Sequence, residues 1–355
     1  MILMVMNMKK ILKNIFLFLI CIYCTLFIIF NTHCIGEYVS KALERCIYII
    51  IPSLFAMMTF SGILIKSGIM GQGSIVRIFV LSMFAGYPVG AGMISEEFER
   101  KNITKKQAEL YISVCFGAGT SFIFGCVSDI LFNGSSAGII IFISTVSVNL
   151  LVLAVILIAE KKEKRTVSKQ NISFNSEMLV NSVISGGRNI FKICMMIMFF
   201  SVFTCILSGT GITEFISEII SRISGTDFRT VKNMTESLLE VTNLGTLERN
   251  NYTLLPFVCS AVSFGGVCVI LQIKTVINKS LSIAPFIFIR IACAVLSGMV
   301  CHIIMPFMLR NQTVSVSDID YRIYSSPTPI PSCMLIIMIL ILLWNFSGRR
   351  SSGTV

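Results

Sequence analysis

Long apolar runs separated by short polar stretches dominate the chain. A helix needs roughly 20 consecutive apolar residues to cross a bilayer. Runs of about that length lie at 11–30, 46–66, 75–94, 110–132, 136–158, 188–208, 253–272 and 282–305. A shorter run at 333–347 carries Trp344, a residue suited to the membrane interface. The segment 231–246 is short and mixed. Two of these segments hold helix breakers. The run 75–94 contains Gly86-Tyr87-Pro88-Val89-Gly90, and a central proline flanked by glycines interrupts a helix. The mixed segment reads Thr235-Glu236-Ser237-Leu238-Leu239-Glu240-Val241-Thr242-Asn243-Leu244-Gly245 and should unwind before Gly245. The pattern predicts an all-α, polytopic membrane protein.

Composition agrees. Of 355 residues, 55% are hydrophobic and 13% charged, against about 25% charged in soluble domains. Mean hydropathy is +0.85. The net charge of +11 is read as basic cytoplasmic loops rather than a nucleic-acid surface, because no aromatic-basic patch accompanies it. The 13 cysteines lie mostly inside apolar runs, where Cys behaves as a small hydrophobe. The pair Cys21 and Cys24 has no partner pair at zinc-site spacing. The first apolar run is longer than a signal-peptide core and lacks an A-x-A-like site after it, so it reads as a retained membrane helix.

Charge sets orientation. Lys9, Lys10 and Lys13, the run Glu160-Lys161-Lys162-Glu163-Lys164-Arg165, and Arg349-Arg350 all belong on the cytoplasmic side. An even number of crossings must then precede Glu160, yet five candidates do. The segment with Pro88 is therefore expected to be re-entrant or broken. Non-helical backbone at membrane depth is tolerated only where protein or a cavity satisfies it. The expectation is about eight spans plus two broken segments, with both termini in the cytoplasm. The divisions expected are an N-terminal helix and loop at 1–45, a first repeat at 46–160, a basic linker at 161–187, a second repeat at 188–305, and a loop with a final helix at 306–355.

The halves share short matches. Phe60, Leu64 and Gly68 fall on Phe203, Leu207 and Gly211 at one constant offset, and Val114-Cys115-Phe116-Gly117 matches Val262-Ser263-Phe264-Gly265. The crossing parity runs matched segments in opposite directions. Such inverted repeats place transporter substrate sites near the midplane, at broken helices in matching positions.

The candidate site collects the breaks. In the first half these are Gly86, Tyr87, Pro88 and Gly90, followed by the small-residue stretch Gly117, Gly119, Thr120 and Ser121. In the second half they are Glu236, Glu240, Thr242 and Asn243, with Gly265 and Gly266. Glu236 and Glu240 are four apart, so on a helix they share a face. Intramembrane carboxylates imply a polar cavity or a partner. The competing readings are an exposed amphipathic loop helix for 235–245 and tight helix packing for the small-residue stretches. Glu96 is the one member of the charged run after Gly90 that lies near the break. His302 reads as a packing residue, and Arg290 as a side chain that snorkels to the membrane edge. No Ser-His-Asp, H-E-x-x-H or P-loop pattern appears, so neither an enzyme, a metal site nor a cofactor has positive support.

The stretch Phe84-Ala85-Gly86-Tyr87-Pro88-Val89-Gly90-Ala91 with Cys115 to Ile123 resembles the first repeat of the sporulation integral membrane proteins that carry the nucleoside-recognition, or Gate, domain. Glu236 to Asn243 with Ser263-Phe264-Gly265-Gly266 resembles their second repeat. The chain departs from the family at Gly119-Thr120, where Ser-Gly-Pro is common. The resemblance implies a membrane protein of an endospore former, in the cell membrane or the forespore-enclosing membrane, with kinship to gated nucleoside transport proteins. Its partners would be the bilayer, a small polar solute, and a second copy or other spore-membrane proteins. The alternative function is a non-transporting scaffold needed for spore envelope assembly.

Overall fold

The computed structural model describes residues 2–67, 75–160 and 175–309, and all elements within them are helical. The expected span at 333–347 and most of the basic linker lie outside the described residues. The first half comprises α1 (Ile2–Phe30), α2 (Thr32–Arg45), α3 (Ile51–Lys66), α4 (Ile75–Ala85), α5 (Tyr87–Glu99), α6 (Lys105–Val114), α7 (Asp129–Phe132) and α8 (Ser135–Ala159). The second half comprises α9 (Ser176–Gly209), α10 (Ile212–Ser224), α11 (Phe228–Leu239), α12 (Leu255–Phe264), α13 (Gly266–Val276) and α14 (Ala284–Leu309).

Five stretches are long and apolar enough to cross a membrane: Ile11–Phe30, Ser136–Ala159, Ser176–Gly209, Tyr252–Val276 and Ala284–Leu309. A sixth candidate is bent by 54° between Thr32–Ile50 and Leu54–Leu64. The chain is a multi-pass membrane protein. Two sequence-based helix boundaries shift. The helix expected at 188–208 begins at Ser176, where Asn175 caps it by accepting the Met178 N–H at 2.8 Å. Between α2 and α3 the backbone stays helical through the π-helical turn Cys46–Ile50. The run 110–132 is not one helix: α6 stops at Val114, and after non-helical backbone the chain resumes as the π-helical turn Phe122–Ser128 and then α7. Apolar runs alone do not disclose these changes in backbone hydrogen bonding.

Two apolar clusters form the interior. The larger joins α3 to α8 with α12 to α14, and the smaller joins α2, α3 and α9 through Ala42, Cys46, Ile50, Met58, Ile190 and Ile197. Val89, next to Pro88, packs against both. Close helix approach depends on small residues, as expected where lipid removes the hydrophobic drive between helices. A Cβ at Gly186 of α9 would lie 2.9 Å from Thr59 Oγ1 of α3, and one at Gly298 of α14 would run into Ser260 of α12. Cys194, Cys205, Cys259 and Cys293 are buried, as small hydrophobes would be. His302, expected to pack, instead sits exposed on α14.

Helices α10 and α11 form a hairpin beyond the end of α9. In the first turn of α10, Glu214 accepts from Lys232 Nζ of α11 at 2.5 Å and from Ser208 Oγ of α9 at 2.7 Å. Burial pushes the Glu214 carboxyl up, but these partners outweigh it and bring it down to about 2. On the opposite face, Phe215, Ile216, Ile219, Ile220 and Ile223 are exposed, the stripe of an amphipathic helix.

Gly90 is the tightest of the close approaches, because any Cβ there would collide with the Cys115 carbonyl oxygen and with Ser82. Backbone cannot yield as a side chain does, so Gly90→Ala should cost at least about 1–3 kcal/mol. Gly36→Ala, whose Cβ would meet nothing within 4 Å, should be neutral. Thermal unfolding of the two purified variants in detergent measures the contrast, and equal midpoints would contradict it.

Candidate functional site

Four interruptions of helix meet in the interior, two from each half. The first separates α4 from α5 at Gly86, whose φ of 99° suits glycine. Pro88 lies in the first turn of α5, where its missing N–H leaves no helical bond unmade. The second interruption follows α6 and runs through Gly117 and Gly119. These two breaks cross at backbone distance, since a Cβ at Gly119 would lie 3.2 Å from Gly86 Cα. In the second half, α11 ends at Leu239, Glu240 is extended, and a 3-10 turn runs from Val241 to Thr246. It crosses the break between α12 and α13, where Gly265 and Gly266 have φ of 83° and 80°. A Cβ at Gly266 would lie 3.2 Å from the Val241 nitrogen.

The two pairs then touch each other. The Tyr87 hydroxyl donates to the Val262 carbonyl at 2.6 Å, across the halves. Its ring packs on Phe116 at 4.7 Å. A Cβ at Gly265 would lie 2.7 Å from the Phe116 ring.

A helix that stops leaves its last carbonyls without intrahelical partners. Here Arg290 of α14 supplies them. The residue is fully buried, which overturns the expectation that it snorkels. Its guanidinium donates to the Ser113 carbonyl at 3.1 Å and to Asn149 Oδ1 at 2.8 Å. It also donates to the carbonyl of Ser263 and, at 2.8 Å, to the Ser263 hydroxyl. Its plane lies over the Phe116 ring, 4.6 Å from the centroid. Asn149 in turn donates to the Phe116 carbonyl at 3.0 Å. One cation thus caps the ends of α6 and α12 together. Carbonyl oxygens and a ring face hold it inside, where a planar five-donor group fits better than an ammonium.

Beside this network lies a pocket of about 40 Å³, room for about three waters. It is lined by Gly86, Tyr87, Pro88 and Gly119 from the first half, and by Glu240, Val241 and Thr242 from the second. The π-helical turns contribute Ile50 and Phe122. Ile193 and Ile197 of α9 and Gln272 of α13 complete the wall. Irregular backbone therefore converges on one place, and π-turns inside helices often mark functional sites.

Glu240 is 1% exposed. Its carboxylate accepts the Thr242 N–H at 3.0 Å and the Thr242 hydroxyl. Arg45, at the end of α2, donates to the Thr242 carbonyl at 3.2 Å. Unlike Glu240, which is the extended C-cap of α11, Glu236 lies within the last turn of that helix. It is buried, its Oε1 has no hydrogen-bond partner, and it does not line the pocket. Asn243 is buried but donates to the Glu236 backbone carbonyl at 3.3 Å. Thr120 and Ser121 are buried outside the pocket. Gly90, Gly117, Gly265 and Gly266 serve the crossings instead. Glu96 pairs with Arg100 at 2.5 Å on the exposed end of α5, away from the pocket.

Sequence reading missed Arg45, Asn149, Gln272 and Ile50. Gln272 and Asn149 left a signal, a lone amide inside an apolar run. Arg45 left none, since it sits in an ordinary charged stretch. No protein-family model, curated protein or solved structure matches the chain.

Removing the shared cap should unsettle both breaks. Arg290→Met leaves several buried acceptors without donors, at about 1–3 kcal/mol each. Asn149→Leu should be milder, and the double variant should cost less than the sum, because the two residues serve one network. A double-mutant cycle of detergent unfolding tests this, and strict additivity would argue against a common network. Tyr87→Phe should cost about 1 kcal/mol in the same assay.

Proposed function

We propose that the chain is a transporter-like membrane protein of spore formation that gates or moves a small polar solute between its two halves. The observation that carries this reading is the convergence of broken segments from both halves on one pocket bearing the buried Glu240. Charged groups buried at membrane depth commonly mark solute or ion pathways. Further support comes from the positions of the breaks. The matched sequences Val114-Cys115-Phe116-Gly117 and Val262-Ser263-Phe264-Gly265 both fall where a helix stops. The inverted repeat, about eight spans and cytoplasmic termini are parts of the same proposal, as is placement in the cell or forespore-enclosing membrane.

At about 40 Å³ the pocket corresponds to a closed form. A solute of nucleoside size requires the α2–α3–α9 wall to move away from the breaks, and that wall has its own small apolar cluster.

The scaffold reading has one observation in its favour: Gly117 and Gly265 are in tight contact with Met83 and Phe116. The two readings separate at Glu240. In the transporter reading, Glu240→Gln inserts normally but loses solute flux in proteoliposomes and fails to complement a sporulation defect. Full sporulation by that variant would refute the transport reading, and the scaffold would remain.

A further inference from the structure

Among the described residues, three pairs of cysteines meet across helix packings. Cys46, in the π-turn after α2, is hydrogen-bonded to Cys194 of α9. Cys259 of α12 is hydrogen-bonded to Cys301 of α14. All four are buried. The third pair is Cys34 of α2 and Cys205 of α9, whose sulfurs lie 2.9 Å apart, about 1 Å more than a disulfide bond. Cys205 is buried, but Cys34 is exposed. It sits in the first turn of α2 among Thr32, His33 and Glu37, all exposed as well. Exposed ionisable groups place that turn in water rather than in lipid.

Sidedness also sets this pair apart. Lys9, Lys10 and Lys13 lie early in α1, whose apolar part is long enough to cross the membrane and ends at Phe30. The turn before Cys34 is then on the face opposite those lysines. The basic run 161–165 precedes α9, which is long enough to cross and ends at Gly209. The end of α9 that carries Cys205 is then opposite that run too. Basic segments belong on the cytoplasmic side, so the pair faces outside, where disulfides form and persist.

We infer that Cys34 and Cys205 are joined by a disulfide in the membrane-inserted protein, stapling α2 to α9 at the outer face. This inference rests on the orientation in the proposed function and on no particular solute. The exposed Cys34 sulfur attacks a disulfide of an extracytoplasmic thiol–disulfide oxidant and releases one of its sulfurs as a thiol. Cys205 then attacks the mixed disulfide, which forms the Cys34–Cys205 bond and releases the second thiol. Two cysteine S–H bonds are lost for one S–S bond, and the two protons and two electrons end on the oxidant's sulfurs. The cysteines are 171 residues apart in the chain, and closing long loops gains most in stability. The π-turn after α2 carries Ile50 and α9 carries Ile193 and Ile197, so the bond ties together two elements that line the pocket. The other two pairs have no exposed sulfur and stay as thiols.

The test is a thiol count on protein made in a bacterial host and purified without reductant. Free thiols are blocked with N-ethylmaleimide after denaturation, and those released by later reduction are tagged with a polyethylene glycol maleimide. Wild type and Cys46→Ser should each gain two tags, and Cys34→Ser and Cys205→Ser none. Reduction should lower the thermal midpoint of wild type by several degrees and leave those of Cys34→Ser and Cys205→Ser unchanged. In Cys205→Ser, a membrane-impermeant maleimide should label Cys34 on intact spheroplasts, against the Cys34→Ser/Cys205→Ser double variant as blank. A wild type that gains no tags would overturn the disulfide. The orientation would stand if Cys34 were still labelled from outside, and would fall with the disulfide if labelling required permeabilised membranes.

Discussion

The guanidinium of Arg290 holds the molecule's interior together. Broken helices inside a membrane protein face a severe constraint, because no bulk water is present to satisfy the carbonyls that a helix end exposes. A single orphaned acceptor costs about 1–3 kcal/mol, and in this fold helix ends from both halves meet at one side chain. Arg290 answers with donors to the ends of α6 and α12 at once, and Asn149 extends the same service to Phe116. The ring of Phe116 takes the remaining face of the cation. The charge has no carboxylate partner among these contacts. It is solvated by carbonyl dipoles instead.

That anchor permits the glycine crossings. Once the ends of α6 and α12 are tied to α14, the chain on the far side of each break is aimed across its partner. Gly86 meets Gly119, and Gly266 meets the backbone around Val241. Tyr87 then bridges the two crossings through Val262. Rigid capping on one side leaves the irregular backbone on the other side to line the pocket. There the polar groups are few, and Glu240 and Thr242 hold each other. Arg290 is fully buried and donates to four acceptors, whereas Arg45 is part-buried and donates to the Thr242 carbonyl.

Much of the architecture follows from local rules. An apolar run near 20 residues has no other stable home than a membrane helix, so 11–30, 136–158 and 282–305 were readable directly and their helices formed. Gly86-Tyr87-Pro88 announced a break because proline removes a donor and glycine relieves the backbone. The stretch after Leu239 announced another through its polar residues. Failures occurred where the hydrogen-bonding pattern changes without a change in apolarity. The π-turns at 46–50 and 122–128 read as ordinary helix, and the interruption after Val114 lies inside an unbroken apolar run.

For the site, residue type nominated Glu240, Thr242 and the glycines, since carboxylates and turn formers in apolar surroundings are conspicuous. Which of them line the pocket was beyond the chain's own pattern. Glu236 and Glu240 have the spacing of one helix face, and only the packed structure shows that Glu240 lines the pocket and Glu236 does not. Arg290 has the position of a snorkelling side chain, and only the arrival of Ser113 and Ser263 from distant segments turns it inward. Spacing along one element is a local quantity, so apolarity and breakers suffice for it. Partners that satisfy a buried charge come from segments far apart in the chain, and they exist as neighbours only after the helices have packed.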